Sequence, residues 1–237
     1  MVVTIWKGRC IVCGKEFEYK EFPNRGGYAP EKEHNFCSKE CQDIRKEETY
    51  KKRLDILPLK FRDIDCDRKD LVKQGTEQSM YITGVVGVGK TVLMAGIVKE
   101  ILKDFSKRVI WISYPGFIMK LQSLFRMNDE ITPFGRAEEV AEFEDVLAID
   151  DLGSEKITDF VKQITYYIIN YREQECLHTL ITSNFSLQEI DNQIDTRISS
   201  RIGGMCKIVK IEGKDRRLQK NQLKKSVRNL IIKGKSQ

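Results

Sequence analysis

The stretch MYITGVVGVGKT, residues 80–91, decides the fold class of this chain of 237 residues. Its first four residues are an apolar run with the length of a short strand, and the next eight fit the pattern G-x-x-x-x-G-K-[ST]. Gly84, Gly87 and Gly89 allow backbone N–H groups to point at phosphate oxygens. The apolar-faced segment that follows is typical of a helix whose positive end faces the same anion. The stretch therefore predicts a phosphate-binding loop between a strand and a helix.

Two side chains of this loop are the predicted contacts of a nucleoside triphosphate and its cation. Lys90 is expected to reach the β- and γ-phosphates, and Thr91 is expected to offer its hydroxyl to Mg²⁺. A glycine-rich turn that matches the pattern by chance is the alternative, and the flanking apolar segments disfavour it. A nucleoside triphosphate and Mg²⁺ are therefore the expected ligands.

Short apolar runs alternate with longer amphipathic segments from residue 61 onward. The predicted strands are residues 80–83, 108–113, 145–150, 178–183 and 205–211. The predicted helices are residues 89–104, 115–127, 155–172 and about 194–202. This alternation indicates an α/β fold with a mostly parallel five-stranded sheet flanked by helices.

An acidic pair follows the apolar residues 146–149. A carboxylate at the tip of an apolar strand costs free energy unless it serves a cation or caps the next element. With a phosphate-binding loop upstream, Asp150 is the predicted partner of Mg²⁺ through water. Asp151 is the predicted group that orients and activates the attacking water. A turn and a helix cap are the alternative, because Gly153 and Ser154 follow.

Two further motifs carry candidate catalytic residues. Asn184 follows residues 178–183, where a polar side chain can contact the γ-phosphate or the attacking water; a loop-starting asparagine is the alternative. Arg197 and Arg201 are four residues apart and share one face of the predicted helix. An arginine supplied in trans to a neighbour's γ-phosphate neutralises charge in the transition state. Arg201 is the candidate for this role and Arg197 a supporting contact, with surface arginines paired to nearby carboxylates as the alternative.

Four of the seven cysteines lie within the first 41 residues, as C-x2-C and C-x3-C. An odd total argues against a disulfide framework, whereas two close thiolate pairs fit a tetrahedral structural zinc site. Gly14 suits a turn after the first pair, and Ser38 is placed to cap a helix that carries the last cysteine. His34 as a substitute ligand and four unrelated buried thiols are the alternatives. The predicted ligands are Cys10, Cys13, Cys37 and Cys41. The cysteines predicted to fill the core are Cys66, Cys176 and Cys206.

Composition excludes several classes of protein. Apolar residues make up 41% and charged residues 32% of the chain, an ordinary globular mixture. No apolar run approaches the ~18 residues of a membrane-spanning helix, and the N-terminus lacks a signal-peptide pattern, so a cytoplasmic protein without membrane contact is expected. The net charge is +3 over residues 1–60, −6 over residues 61–204 and +9 over residues 205–237. The basic C-terminal end favours contact with a polyanion, and a solvated tail is the alternative.

The motifs GVVGVGKT, AIDDLGSEKIT, NYRE, LITSN and RISSRI occur in this order. Together they resemble the AAA+ ATPases of the helicase-loader group, the DnaC and DnaI type, and their relative IstB, the transposition ATPase. The cysteine cluster resembles the metal-binding N-terminal domain of DnaI-type loaders. The expected organisation is a zinc-binding module over residues 1–45, a linker or helix over 46–60, a P-loop AAA+ ATPase domain over 61–212 and a basic tail over 213–237.

The resemblance implies roles for the motif residues. Those implied to bind ATP or Mg²⁺ are Gly84, Gly87, Gly89, Lys90, Thr91 and Asp150, and those implied to be catalytic are Asp151, Asn184 and Arg201. The family's G-x-D-Y-R segment corresponds to GKDRRL here, so Arg217 is expected to act as a second sensor. A helical insertion faces DNA in the family, and in the corresponding stretch of this chain Lys120 and Arg126 are the candidates for DNA phosphates. The apolar residues of that stretch are expected to be core: Phe117, Ile118, Leu121, Leu124 and Phe125.

The function implied by the resemblance is ATP-dependent loading of a replicative hexameric helicase onto single-stranded DNA. It implies that ATP binds between subunits, that the N-terminal module holds the helicase, and that slow hydrolysis acts as a switch. One alternative is an IstB-like transposition ATPase that binds double-stranded DNA and a transposase. Another is a zinc-containing DNA-binding or adaptor protein in which the nucleotide site is only structural. A small-molecule kinase fits the acidic pair and the arginine pair less well.

Overall fold

The chain divides into two units, Met1–Asp55 and Ile56–Gln237, each with its own internal packing. The computed structural model describes residues 4–21, 35–125 and 132–215. Among the helices in these ranges, none combines the length and the apolar character needed to cross a bilayer.

The smaller unit contains an antiparallel hairpin and one long helix. β1 (Thr4–Arg9) pairs with β2 (Glu16–Glu21), and α1 covers Lys39–Arg53. The predicted cap is confirmed, because Ser38 Oγ accepts a hydrogen bond from the backbone N–H of Cys41 at 3.3 Å. α1 continues past the position at which the sequence places the end of the zinc module, and the domain boundaries stay predictions.

The larger unit is built on a five-stranded sheet in which neighbouring strands are parallel. Its strands are β3 (Met80–Thr83), β4 (Val109–Ser113), β5 (Val146–Leu152), β6 (Thr179–Ser183) and β7 (Lys207–Lys210). Its helices are α2 (Leu59–Arg62), α3 (Lys69–Glu77), α4 (Lys90–Ile101), α5 (Tyr114–Leu124), α6 (Pro133–Ala141), α7 (Asp159–Gln174), α8 (Leu187–Gln193) and α9 (Thr196–Met205). The predicted α/β class is confirmed.

The strand order β4-β5-β6-β3-β7 positions the site. β6 lies between β3, which precedes the phosphate-binding loop, and β5, which carries the acidic pair. The register aligns Ser183 with Thr83 on one side and with Leu152 on the other. Because the carboxyl ends of parallel strands meet at one edge of a sheet, Asn184 lies between the loop and the carboxylates.

Apolar side chains of the sheet and its covering helices form the core. All four residues of β3 and the first four of β5 are buried, as expected of central parallel strands covered on both faces. From α5, Phe117, Ile118 and Leu121 are buried, which confirms that part of the predicted apolar face.

Two residues predicted to be core are exposed instead. Phe125 is 63% exposed; it is the residue at which α5 ends, and its ring meets that of Phe160 edge-on with centroids 5.2 Å apart. Cys176 is also exposed and has a φ of 52°, since it lies in the turn between α7 and β6. Cys66 and Cys206 are buried, as predicted.

Three helices, α3, α6 and α8, lie where the sequence analysis gave no helix. α8 is defined by a local signal, a capping box between Ser186 and Glu189. The helix predicted from residue 155 begins at Asp159, because Thr158 Oγ1 caps it by accepting the N–H of Val161.

Arg172 is a fully buried residue near the amino ends of β5 and β6. Burial lowers the pKa of its guanidinium to about 10, so the group stays charged at neutral pH. It donates hydrogen bonds of 2.7–3.1 Å to Thr179 Oγ1 and to the carbonyls of Ala141, Phe143, Asp145 and His178. One side chain therefore joins the end of α6, the loop before β5 and the start of β6.

We expect Arg172→Ala to lower the free energy of unfolding by at least about 3 kcal/mol, since it leaves several buried acceptors without a donor. Arg108→Ala is the control, because Arg108 is an exposed partner of Asp145 and its loss should cost less than about 1 kcal/mol. Chemical denaturation measures both. Equal effects of the two substitutions would contradict the role of Arg172.

Candidate functional site

The phosphate-binding loop has the backbone conformation for which its glycines are needed. Gly84, Gly87 and Gly89 have φ of 149°, 78° and 104°, values that other residues rarely adopt. A Cβ atom on Gly84 would lie 2.3 Å from the carbonyl oxygen of Ile211, and one on Gly87 would lie 2.1 Å from the carboxyl carbon of Asp215. At Gly84 the loop thus lies against the backbone after β7 at a distance that only glycine permits.

Lys90 is the first residue of α4, and it is only 7% exposed. Its Nζ donates to the carbonyl oxygens of Gly84 at 2.7 Å and Val85 at 3.0 Å. It also donates to Asn184 Oδ1 at 2.7 Å. A buried ammonium needs such acceptors, and these acceptors hold it at the loop predicted to cradle phosphates.

Asn184 connects the loop to the acidic end of β5. While its Oδ1 accepts from Lys90, its Nδ2 donates to Asp151 Oδ1 at 3.0 Å and to Ser154 Oγ at 3.4 Å. An amide can do this because it carries an acceptor and a donor on one planar group. The structure therefore brings together three residues that the sequence proposed separately.

Asp150 is held by two hydroxyl groups. Thr91 Oγ1 donates to its Oδ1 at 3.0 Å, and Thr182 Oγ1 donates to the same oxygen at 2.7 Å. Burial raises the pKa of the Asp150 carboxyl above its ordinary value, although both hydroxyls act in the opposite direction. Asp150 and Thr91, the two predicted neighbours of Mg²⁺, are in direct contact, and hydroxyl and carboxylate oxygens are ligands that suit this ion.

Asp151 has a φ of 65°, in the left-handed region that non-glycine residues seldom adopt. Its backbone N–H donates to Thr182 Oγ1 at 2.9 Å. The side chain contacts Asn184 as described above. An unfavourable backbone conformation held by such bonds is a feature found at functional sites.

Thr182 is a site residue within the motif LITSN for which no role was predicted. Its hydroxyl contacts both acidic residues, the carboxylate of Asp150 and the backbone of Asp151. The available signal was the period of two in a strand, which predicts that residues two apart, such as Thr182 and Asn184, share a face. Thr182 therefore completes the hydrogen-bonded set at the carboxyl edge.

The arginines of α9 lie away from this set. Arg201 contacts Tyr166 and Asn170 on α7, and Arg197 pairs with Asp195. No hydrogen bond joins either arginine to the phosphate-binding loop within the described ranges. Arg217 and Arg126, predicted as second sensor and DNA contact, lie outside the described residues, whereas Lys120 is exposed on α5.

The four predicted zinc ligands form one cluster in the smaller unit. The sulfur atoms of Cys10, Cys13, Cys37 and Cys41 all lie within 4.8 Å of one another. Cys13 Sγ is 3.4 Å from Cys37 Sγ, which is 3.6 Å from Cys41 Sγ. Four sulfurs at ~2.3 Å from one ion would be about 3.8 Å apart, so the cluster fits zinc. His34 lies outside the described residues.

Local backbone geometry forms the first half of this cluster. The Gly14 N–H donates to the Cys10 carbonyl at 2.9 Å, and Gly14 has a φ of 72°, as its predicted turn requires. A hydrogen bond from the backbone of Cys13 lowers the pKa of the Cys10 thiol to about 6, whereas the Cys13 thiol raises the pKa of Cys37 to about 12. Because zinc is held by thiolates, zinc binding at this cluster would displace the thiol protons.

We expect the chain to bind about one zinc ion and Cys37→Ser to abolish most of that binding, because the tetrahedral set loses a thiolate. Zinc per chain, measured by elemental analysis of the purified protein, tests this. Cys176→Ser is the matched control, since Cys176 is an exposed cysteine outside the cluster. Equal zinc content in the two variants would contradict the site.

We expect Asp150→Asn to stabilise the protein at neutral pH when nucleotide is absent and a chelator is present. Because burial raises the folded-state pKa of Asp150, its charged form is disfavoured in the fold, and an amide keeps the acceptor for Thr91 and Thr182. The gain in stability of Asp150→Asn over the wild type should be largest at pH values above the raised pKa of Asp150. It should shrink as the pH falls through that pKa, because the wild-type carboxyl then becomes neutral, as the amide already is.

Thermal melting over a pH series measures this difference. Asp63→Asn is the control, since Asp63 is exposed on the surface of the same unit. A melting temperature of Asp150→Asn at or below that of the wild type at neutral pH would contradict the expected cost of burying the Asp150 charge.

Comparisons with known proteins agree with this geometry. The family model of the bacterial DnaA ATPase domain matches residues 71–208, more than half of the chain. The replicative helicase loader DnaI of Bacillus subtilis (strain 168) is 24% identical over 171 residues, which are 66% of this chain and 53% of that protein. The chain spans about half the length of the curated relatives it matches.

Solved structures share the fold. A crystal structure of DnaI superimposes with a TM-score of 0.54 at 24% identity, covering 69% of this chain and 93% of that one. A replication initiator DnaA bound to AMPPCP and single-stranded DNA gives 0.51 at 22% identity, covering 61% and 45%. The chain thus belongs to the family of the bacterial DnaA ATPase domain, and its larger unit is an AAA+ ATPase domain.

Proposed function

We propose that this chain binds and hydrolyses ATP and uses that cycle to load a replicative hexameric helicase onto single-stranded DNA. The observation that carries the ATP-dependent part is the hydrogen-bonded chain from Lys90 through Asn184 to Asp151. It joins the group expected at the phosphates to the group expected at the attacking water. The relative that is a replicative helicase loader supports the loading part.

The side chains of the site divide the chemistry of hydrolysis. Lys90 binds the β- and γ-phosphates, and Asp151 orients the attacking water and accepts its proton. Asn184, hydrogen-bonded to both, responds when a γ-phosphate draws Lys90 towards itself. Thr91 donates to Asp150 and keeps its oxygen lone pairs for a cation. Mg²⁺, when bound there, would neutralise phosphate charge.

A second copy of the chain completes the site in this proposal. Arg201 lies on α9 and contacts α7, and no hydrogen bond joins it to the loop of its own chain within the described residues. An arginine so placed can reach the γ-phosphate bound by a neighbouring copy. Hydrolysis then depends on assembly, which suits a slow switch better than rapid turnover. Arg217 is proposed as the second sensor.

The remaining parts contact the partners. The zinc module holds the helicase, and its internal packing as a compact unit supports a docking role of its own. Single-stranded DNA is attracted by the basic C-terminal residues 205–237, with a net charge of +9, and by the exposed Lys120. ATP changes the affinity for these partners, so binding and release follow the nucleotide state.

We expect the full chain to hydrolyse ATP and to co-elute with a hexameric replicative helicase when ATP is present. Lys90→Ala should lower ATP affinity by at least about tenfold, since a buried charge contact to phosphate is lost, and should abolish the ATP-dependent co-elution. Isothermal titration, phosphate release and size-exclusion chromatography measure the three properties.

Lys73→Ala is the matched control, because Lys73 is exposed on α3. If the Lys90→Ala variant binds the helicase as well as the wild type does, the result would favour an adaptor protein in which the nucleotide site is only structural. ATP-dependent retention on double-stranded DNA, together with failure to bind the helicase, would favour a transposition ATPase.

A further inference from the structure

Two pairs of side chains face each other between α7 and α9. Tyr166 and Asn170 are four residues apart on α7, and Arg197 and Arg201 are four residues apart on α9, so each pair shares one helix face. The guanidinium carbons lie 4.6 Å (Arg197) and 4.8 Å (Arg201) from the centroid of the Tyr166 ring. One aromatic ring therefore contacts both cations at cation–π distance.

Arg201 is oriented by neutral partners. Its Nη2 donates to the hydroxyl of Tyr166 at 3.1 Å, and its Nε donates to Asn170 Oδ1 at 2.7 Å. Its Nη1 donates to the carbonyl of Arg197 at 3.2 Å. These bonds use three of the five N–H groups of the guanidinium. Two N–H groups remain for an acceptor from outside the described part of this chain.

Arg197 differs from Arg201 in the charge of its partner. Both carboxylate oxygens of Asp195 accept from its Nε and Nη2, at 3.0 and 2.8 Å. Arg201 has no carboxylate partner among the described residues. Its positive charge is therefore held in place without being neutralised, which is what an arginine needs if it is to meet a phosphate.

We propose that Tyr166 is the positioning residue of Arg201: its ring and hydroxyl fix the guanidinium while leaving its charge for the nucleotide bound by a second copy. The inference rests on the proposed function and adds to it the residue that orients the trans-acting arginine. The hydroxyl has a distinct part here, because a phenylalanine ring would keep the cation–π contact and lose the acceptor.

The test is steady-state ATP hydrolysis by the full chain at concentrations where it self-associates. Tyr166→Phe should lower kcat roughly three- to tenfold, the range expected for loss of one ordinary hydrogen bond, with KM for ATP changed less than about twofold. In an Arg201→Ala background the same change should have no further effect. Tyr167→Phe is the matched control, because Tyr167 lies on the same helix and its hydroxyl contacts Glu138 instead.

The Nε–H resonance of Arg201 in ¹⁵N-resolved spectra, assigned by its absence in Arg201→Ala, is a second readout. It should be sharp in the wild type and in Tyr167→Phe, and broadened or shifted in Tyr166→Phe. An unchanged resonance, or a loss of kcat in the Arg201→Ala background, would overturn the positioning role of Tyr166.

If Arg201→Ala itself leaves hydrolysis unchanged, the trans-acting arginine of the proposed function fails, and the positioning role fails with it. If Arg201→Ala lowers kcat and Tyr166→Phe does not, only the role of Tyr166 is overturned.

Discussion

The hydrogen bonds of the Asn184 amide are the interaction on which the site depends. They exist because β6 lies between β3 and β5, so the residue after β6 faces the phosphate-binding loop on one side and the acidic end of β5 on the other. A carboxylate at this position could accept from Lys90 but could not donate to Asp151 when ionised. The order of three strands and the chemistry of one amide together set the distance between the group predicted at the phosphates and the group predicted at the water.

The same arrangement has a cost in stability. Asp150 lies where burial disfavours its charge, and its two threonine contacts offset that only in part. Asp151 adds a backbone conformation that a glycine would adopt more readily. Proteins commonly keep such unfavourable features at sites where a ligand will supply the missing interaction. A bound cation or nucleotide would therefore be expected to stabilise the fold in two ways, through its own contacts and by offsetting the buried charge of Asp150.

The sequence predicts local features of this protein well and nonlocal ones poorly. The loop, the five strands and the four-cysteine cluster follow from spacing and from short apolar runs, which are local. The exposed positions of Phe125 and Cys176 depend on where a helix ends and a turn begins, and a pattern of apolar residues does not specify those points. The contacts of Thr182 and Tyr166 depend on which elements are neighbours in space. Thr182 and Tyr166, which the sequence did not single out, are thus residues that position the side chains with proposed roles.

Charged side chains in the larger unit have two kinds of partner. Surface arginines form ion pairs, whereas the charged residues with proposed roles are held by neutral hydrogen-bond partners. On its surface, Arg197 and Arg108 pair with the carboxylates of Asp195 and Asp145. At the carboxyl edge of the sheet, Asp150 is held by threonine hydroxyls. Between α7 and α9, Arg201 is held by a phenol, an amide and a backbone carbonyl. Neutral partners fix the geometry of a charge and leave its field in place, whereas an ion pair cancels it. The proposed binding of magnesium and a triphosphate needs ordered charges of both signs that do not neutralise each other beforehand. Neutral hydrogen-bond partners meet that requirement.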